Sequence, residues 1–122
     1  MLRLLLHEEI SLNVAAALRR RSQEIDVRTL AEWEDGNFVG RDLADILREA
    51  ADQQLTLVTY DRLRIPPILK DWSEEECLYG GVIFLDDESL PPEESLALAA
   101  ALTRVHQEAG NWEWTNRVLF LR

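Results

Sequence analysis

The sequence predicts a three-layer α/β sandwich on a central five-stranded parallel sheet, and three observations carry that prediction. Five short apolar runs alternate with four stretches of helical periodicity. The first run, Leu2 to Leu6, is continuously apolar, the pattern of a strand covered on both faces. The chain has 122 residues with 47% hydrophobic content, enough for one sizeable core and too few for a second ordinary domain. Residues 1–122 are therefore read as one domain whose strands are joined by right-handed crossovers.

Each element follows from its residues. After Leu2 to Leu6, Ser11 caps a helix whose apolar positions Leu12, Ala15, Ala16 and Leu18 recur with helical spacing. Ile25 to Leu30 alternates weakly and reads as a second strand, and Glu34 to Asn37 is a loop. A helix starts near Asp42 with Leu43, Ile46, Leu47 and Ala50 on one side. Leu55 to Val58 is the third strand, ending at Thr59, and Pro66 and Pro67 suit the first turn of a short helix. Gly81 to Leu85 is the fourth strand. A helix from about Glu93 to Glu108 places Leu98, Leu102, Val105 and Ala109 inward, and Val118 to Leu121 is the fifth strand. His106 falls on a polar face and is expected to be solvated. Trp33 and Trp72 are expected at the core periphery, and Trp112 and Trp114 over the sheet edge. The expected strand order is 3-2-1-4-5, with Leu2 to Leu6 inside the sheet.

Charge and composition exclude several classes. The formal charge is −10 and lies mostly in the second half: 10 basic and 12 acidic residues through Lys70, then 3 and 11. A general nucleic-acid coat protein needs a basic face for the phosphates. Local arginines, among them Arg41, Arg62 and Arg64, still allow a basic rim in the balanced half. No apolar run is long enough to span a bilayer, and there is no basic segment followed by a small-residue cleavage site. A cytoplasmic protein without membrane partners is expected. Cys77 is the only cysteine, so neither an internal disulfide nor a multi-cysteine zinc site can be drawn.

An open α/β sheet places its ligands at the carboxyl ends of its strands. The first strand ends at His7, Glu8 and Glu9, the third at Thr59, Tyr60 and Asp61, and the fourth at Asp86 and Asp87, which read as turn residues. Acids gathered on one rim repel unless a cation neutralises them, which makes a divalent-metal site the functional hypothesis. If Glu8, Asp42 and Asp61 converge, at least one of these carboxylates is expected to have a raised pKa. A response-regulator receiver also carries acids at these strand ends, but it needs a lysine after the fifth strand. The only lysine here is Lys70, in the third helix.

The segments "LRLLLHEEISLNVAAALRRRSQEIDV", "GRDLADILREAADQQLTLVTYDR" and "GGVIFLDD" resemble, in order and spacing, short PIN-like proteins of uncharacterised function related to VapC-type toxin ribonucleases. The most specific part is "LVTYDR", Leu57 to Arg62. The resemblance implies a metal-dependent ribonuclease that uses Mg or Mn, acts on RNA, and is the toxin half of a toxin and antitoxin pair. Its implied partners are an antitoxin-like protein or a second copy of the chain. His7 falls where the family keeps its first metal-binding aspartate, Glu8 matches the next acid, and Glu9 replaces an asparagine. Asp42 matches the aspartate opening the second helix, with Asp45 as the alternative one turn on, and Asp61 matches that of the Thr-x-Asp motif. Leu63 stands where many members carry a further acid.

The expected site is therefore Asp42, Asp61 and Glu8 as catalytic acids, with His7 beside them as a metal ligand. Thr59 would orient Asp61, and Arg62 or Arg64 would neutralise a phosphate. Imidazole suits manganese or zinc better than magnesium, so the site reads as altered. The alternative function is a PIN-like interaction module that has lost catalysis, which His7 and Leu63 favour.

Overall fold

Each of the five apolar runs forms a short strand in the computed structural model, which describes residues 1–122. These are β1 (Arg3–Leu6), β2 (Asp26–Thr29), β3 (Thr56–Thr59), β4 (Val82–Leu85) and β5 (Val118–Leu121). Between them lie α1 (Leu12–Arg21), α2 (Leu43–Asp52), α3 (Ile65–Glu74) and α4 (Ser95–Ala109). All neighbouring strands pair in parallel. No helix is long and apolar enough to cross a membrane.

The strand order is 2-1-3-4-5, which corrects the expected 3-2-1-4-5. β1 is interior as expected, but its neighbours are β2 and β3. Side-chain polarity explains the difference. In β2, Asp26 and Arg28 alternate with the buried Val27 and Thr29, so one face must stay within reach of water and the strand belongs at an edge. Asp26 there pairs with Arg3 at 3.0 Å and with Arg28 at 3.6 Å. β3 is buried at every position and can only be interior.

Alternate residues of the sheet feed two cores. Leu4, Leu6, Val58, Ile83 and Leu85 pack under α1 and α4, against Val14, Leu18, Leu98 and Leu102. Leu5, Leu57, Val82 and Phe84 pack under α2 and α3, against Ile46, Leu47, Ile65 and Leu69. Trp33 and Trp72 are buried in this second core. Trp114 is buried in the first and donates its indole N–H to the Ala109 carbonyl at 3.0 Å. Trp112 stays half-exposed, stacked on Trp114 with centroids 6.1 Å apart. His106, expected in solvent, is partly buried, and its Nδ1 is shut away without a partner. At the entry to β4, Gly81 has φ +97°, and a Cβ there would lie 2.6 Å from the Trp114 carbonyl oxygen.

The crossovers do not all have one hand. The steps from β3 to β4 and from β4 to β5 run the same way across the sheet, yet α3 lies on one face and α4 on the other. The first three crossovers share a hand and the last reverses it, against the general right-handed rule. As a result, the face of β5 carrying Val118 and Phe120 has no helix over it, and Phe120 is 59% exposed.

Candidate functional site

In a 2-1-3-4-5 sheet the chain leaves β1 toward one side and β3 toward the other, so the switch point where ligands bind lies between these two strands. The ends of β1 and β3 meet there in a hydrogen-bonded cluster. Strand pairing matches Leu6 with Val58, which brings His7 beside Thr59. His7 is buried, and its Nδ1 lies 2.9 Å from the Thr59 hydroxyl and 3.1 Å from Glu9 Oε2. The Thr59 hydroxyl donates to Glu9 Oε1 at 2.9 Å, and the Tyr60 backbone N–H donates to the same oxygen at 2.9 Å. The Asp61 N–H donates to Thr59 Oγ1 at 3.0 Å.

These contacts assign the protons. The Thr59 hydroxyl directs its hydrogen at Glu9, and an ionised carboxylate can only accept, so the contact between His7 Nδ1 and Glu9 has Nδ1 as the donor. Nε2 is then the free atom. It makes no hydrogen bond within the chain and is not among the polar atoms shut off from solvent. Burial would raise the Glu9 pKa, but the hydrogen bonds from His7, Tyr60 and Thr59 and the His7 charge outweigh it and bring it down to about 2.

The carboxylate of Asp61 is engaged outside this cluster. Its Oδ1 accepts the N–H groups of Leu63 at 3.2 Å and Arg64 at 2.8 Å, and its Oδ2 pairs with Arg64 Nε at 2.5 Å. Burial opposes ionisation, but the backbone donors and the Arg64 guanidinium prevail and lower its pKa. The raised pKa expected of a carboxylate among Glu8, Asp42 and Asp61 is corrected at Asp61, which found donors instead of a like-charged neighbour. Arg62 turns to Asp86 and Asp87 at 3.8 and 3.9 Å. Asp86 and Asp87 lie in the turn after β4, where Ser89 donates its hydroxyl to Asp86 at 2.8 Å.

The remaining expected residues line a cleft beside the cluster. A space of about 470 Å³ is bounded by His7, Glu8, Arg41, Asp42, Arg64 and Ile68. Asp42 is the cap residue of α2 but makes no capping bond with its side chain, and Asp45 pairs with Arg48 at 3.3 Å. Glu8 is exposed. The donors a divalent ion would take do not gather as a ligand set: no three His, Cys, Asp or Glu side chains are placed to hold one ion. The oxygens of Asp61 and Glu9 are already engaged by donors of the chain. Glu9, which sequence reasoning left without a role, is the hub of the cluster. Its signal was an acid two positions beyond a buried histidine.

No protein-family model, curated protein or solved structure matches the chain. The strand order is shared with flavodoxin and with receivers, but a fold alone carries no activity. The lysine of a receiver site is missing, since Lys70 is exposed on α3.

Proposed function

We propose that the chain is a PIN-like domain whose metal centre has been rebuilt into a hydrogen-bonded cluster, and that it works as a non-catalytic interaction module. The observation that carries this reading is the engagement of Asp61, the acid of the most specific motif, by Arg64 and by the N–H groups of its own turn. On that same turn Leu63 is 86% exposed, where an acid stands in many PIN-like members. Leu12 and Val39, also exposed, line a groove that reaches His7 and Glu8. Exposed leucine and valine around a carboxyl-edge cleft suit a protein partner, whether an antitoxin-like protein or a second copy.

A weakened ribonuclease is the second reading, and the cleft favours it. His7 has its Nδ1 held by a carboxylate, the arrangement that orients metal-binding imidazoles, and Glu8 and Asp42 share its cleft. One experiment separates the two: cleavage of single-stranded RNA, and melting of the parent and Asp61→Asn, each with manganese and with magnesium. The module reading expects no cleavage and the same small response to manganese in both proteins. Without metal, Asp61→Asn should be slightly less stable, by about 0.2–1 kcal/mol, because Asn keeps the acceptor oxygen of the turn but loses the charge paired with Arg64. Cleavage that is faster with manganese and rises in His7→Asp would overturn the module. So would a manganese stabilisation seen in the parent and lost in Asp61→Asn.

A further inference from the structure

The reversed last crossover leaves a second surface, two strands away from the cleft, that nothing in the fold covers. β5 is an edge strand. Its Arg117 and Leu121 carbonyls accept from Val82 and Asp86 of the β4 side, so the backbone groups of Val118 and Phe120 point away from the sheet, unpaired. The side chains of the same two residues lie on the face without a helix, with Phe120 stacked on Phe84 at 5.2 Å between centroids. Natural edge strands are commonly protected by lysine, proline or a covering element. The sequence Val-Leu-Phe-Leu has neither lysine nor proline, and its protection is its short length of 4 residues.

The charges around the edge select an occupant. At one end, the exposed Glu74, Glu75 and Glu76 lead into Tyr79, which exchanges backbone and side-chain hydrogen bonds with Asn116 just before β5. Glu113 lines the same hollow as Tyr79. At the other end, Asp86, Asp87 and Glu88 follow β4, and the Asp86 N–H bonds the Leu121 carbonyl. The basic groups facing this edge are fewer. Arg117 lies over Trp112, Arg62 sits between Asp86 and Asp87, and Arg122 follows the strand. A second copy would bring another charge of −10 against these acids.

We propose that β5 accepts, by strand addition, an extended apolar segment of another protein flanked by basic residues. The segment completes the hydrogen bonds of Val118 and Phe120 and lays its own apolar side chains beside theirs. Lysines or arginines at its ends meet the acids at both ends of the strand.

Two synthetic peptides test this, each with a Val-Thr-Phe-Thr-Val core, one between paired lysines and the other between paired glutamates. The lysine peptide should slow amide exchange at Val118 and Phe120, and at low salt should bind ~10-fold tighter than the glutamate peptide. Phe120→Lys should abolish binding, and Val118→Lys is the second variant should the first fail to fold. Absence of protection overturns the proposal, and so does equal binding of the two peptides. Protection that grows with protein concentration alone, together with a dimer in sedimentation, also overturns it, by making a second copy the occupant.

Discussion

Glu9 joins residues from two strand ends, since one carboxylate takes hydrogen bonds from His7, Thr59 and the Tyr60 backbone. Its pKa falls from 4.5 to about 2 on folding, so the ionised form favours the native state. That contribution is complete above the unfolded value of 4.5 and is lost as pH falls toward 2. Glu9→Gln should therefore melt below the parent at neutral pH, and the gap should close on acidification through that window. A gap independent of pH would mean that the charge of Glu9 contributes nothing. The cluster was only half legible in the sequence. His7 and Thr59 could be singled out as strand-end residues, but their contact depends on β1 lying beside β3. In the expected order those strands were not neighbours, and Glu9 then had nothing to bridge.

At the scale of the elements, periodicity and apolar runs located all five strands and the four helices, because burial on one or both faces is written in residue type. Their arrangement was harder to read. The alternation of Asp26 and Arg28 with Val27 and Thr29 marks β2 as an edge, and the unbroken burial of β3 marks it as interior. Those two contrasts exclude the expected order, which put β3 at an edge and β2 inside. The hand of the last crossover has no such local signature, since α4 buries one apolar face whichever side of the sheet it covers. Gly81 is where an element depends on a single residue. Gly81→Ala adds a Cβ 2.6 Å from the Trp114 carbonyl oxygen at a backbone angle that alanine rarely adopts. The conformational strain alone costs about 1–3 kcal/mol. Melting of Gly81→Ala should fall accordingly, whereas Gly40→Ala, whose φ is also positive but whose Cβ meets nothing within 4 Å, should lose less.

For the whole molecule, the chain order of α1 and α4 matters as much as their contact. α1 ends at Arg21, and α4, the helix packed beside it over the first core, begins only at Ser95. During synthesis β1 to β4 can dock in sequence, each on an edge already made, while Val14, Ala17 and Leu18 still lack the Leu98, Leu102 and Val105 side chains that share their core. The nascent protein therefore carries an incomplete greasy surface through most of its emergence from the ribosome, a state open to aggregation and to capture by chaperones. A fragment ending at Glu94 should bind a hydrophobic dye such as ANS strongly, and the full chain should not. If the fragment stays dark and monomeric, the half-built sheet closes over α1 by itself and the newborn chain has no such vulnerable interval.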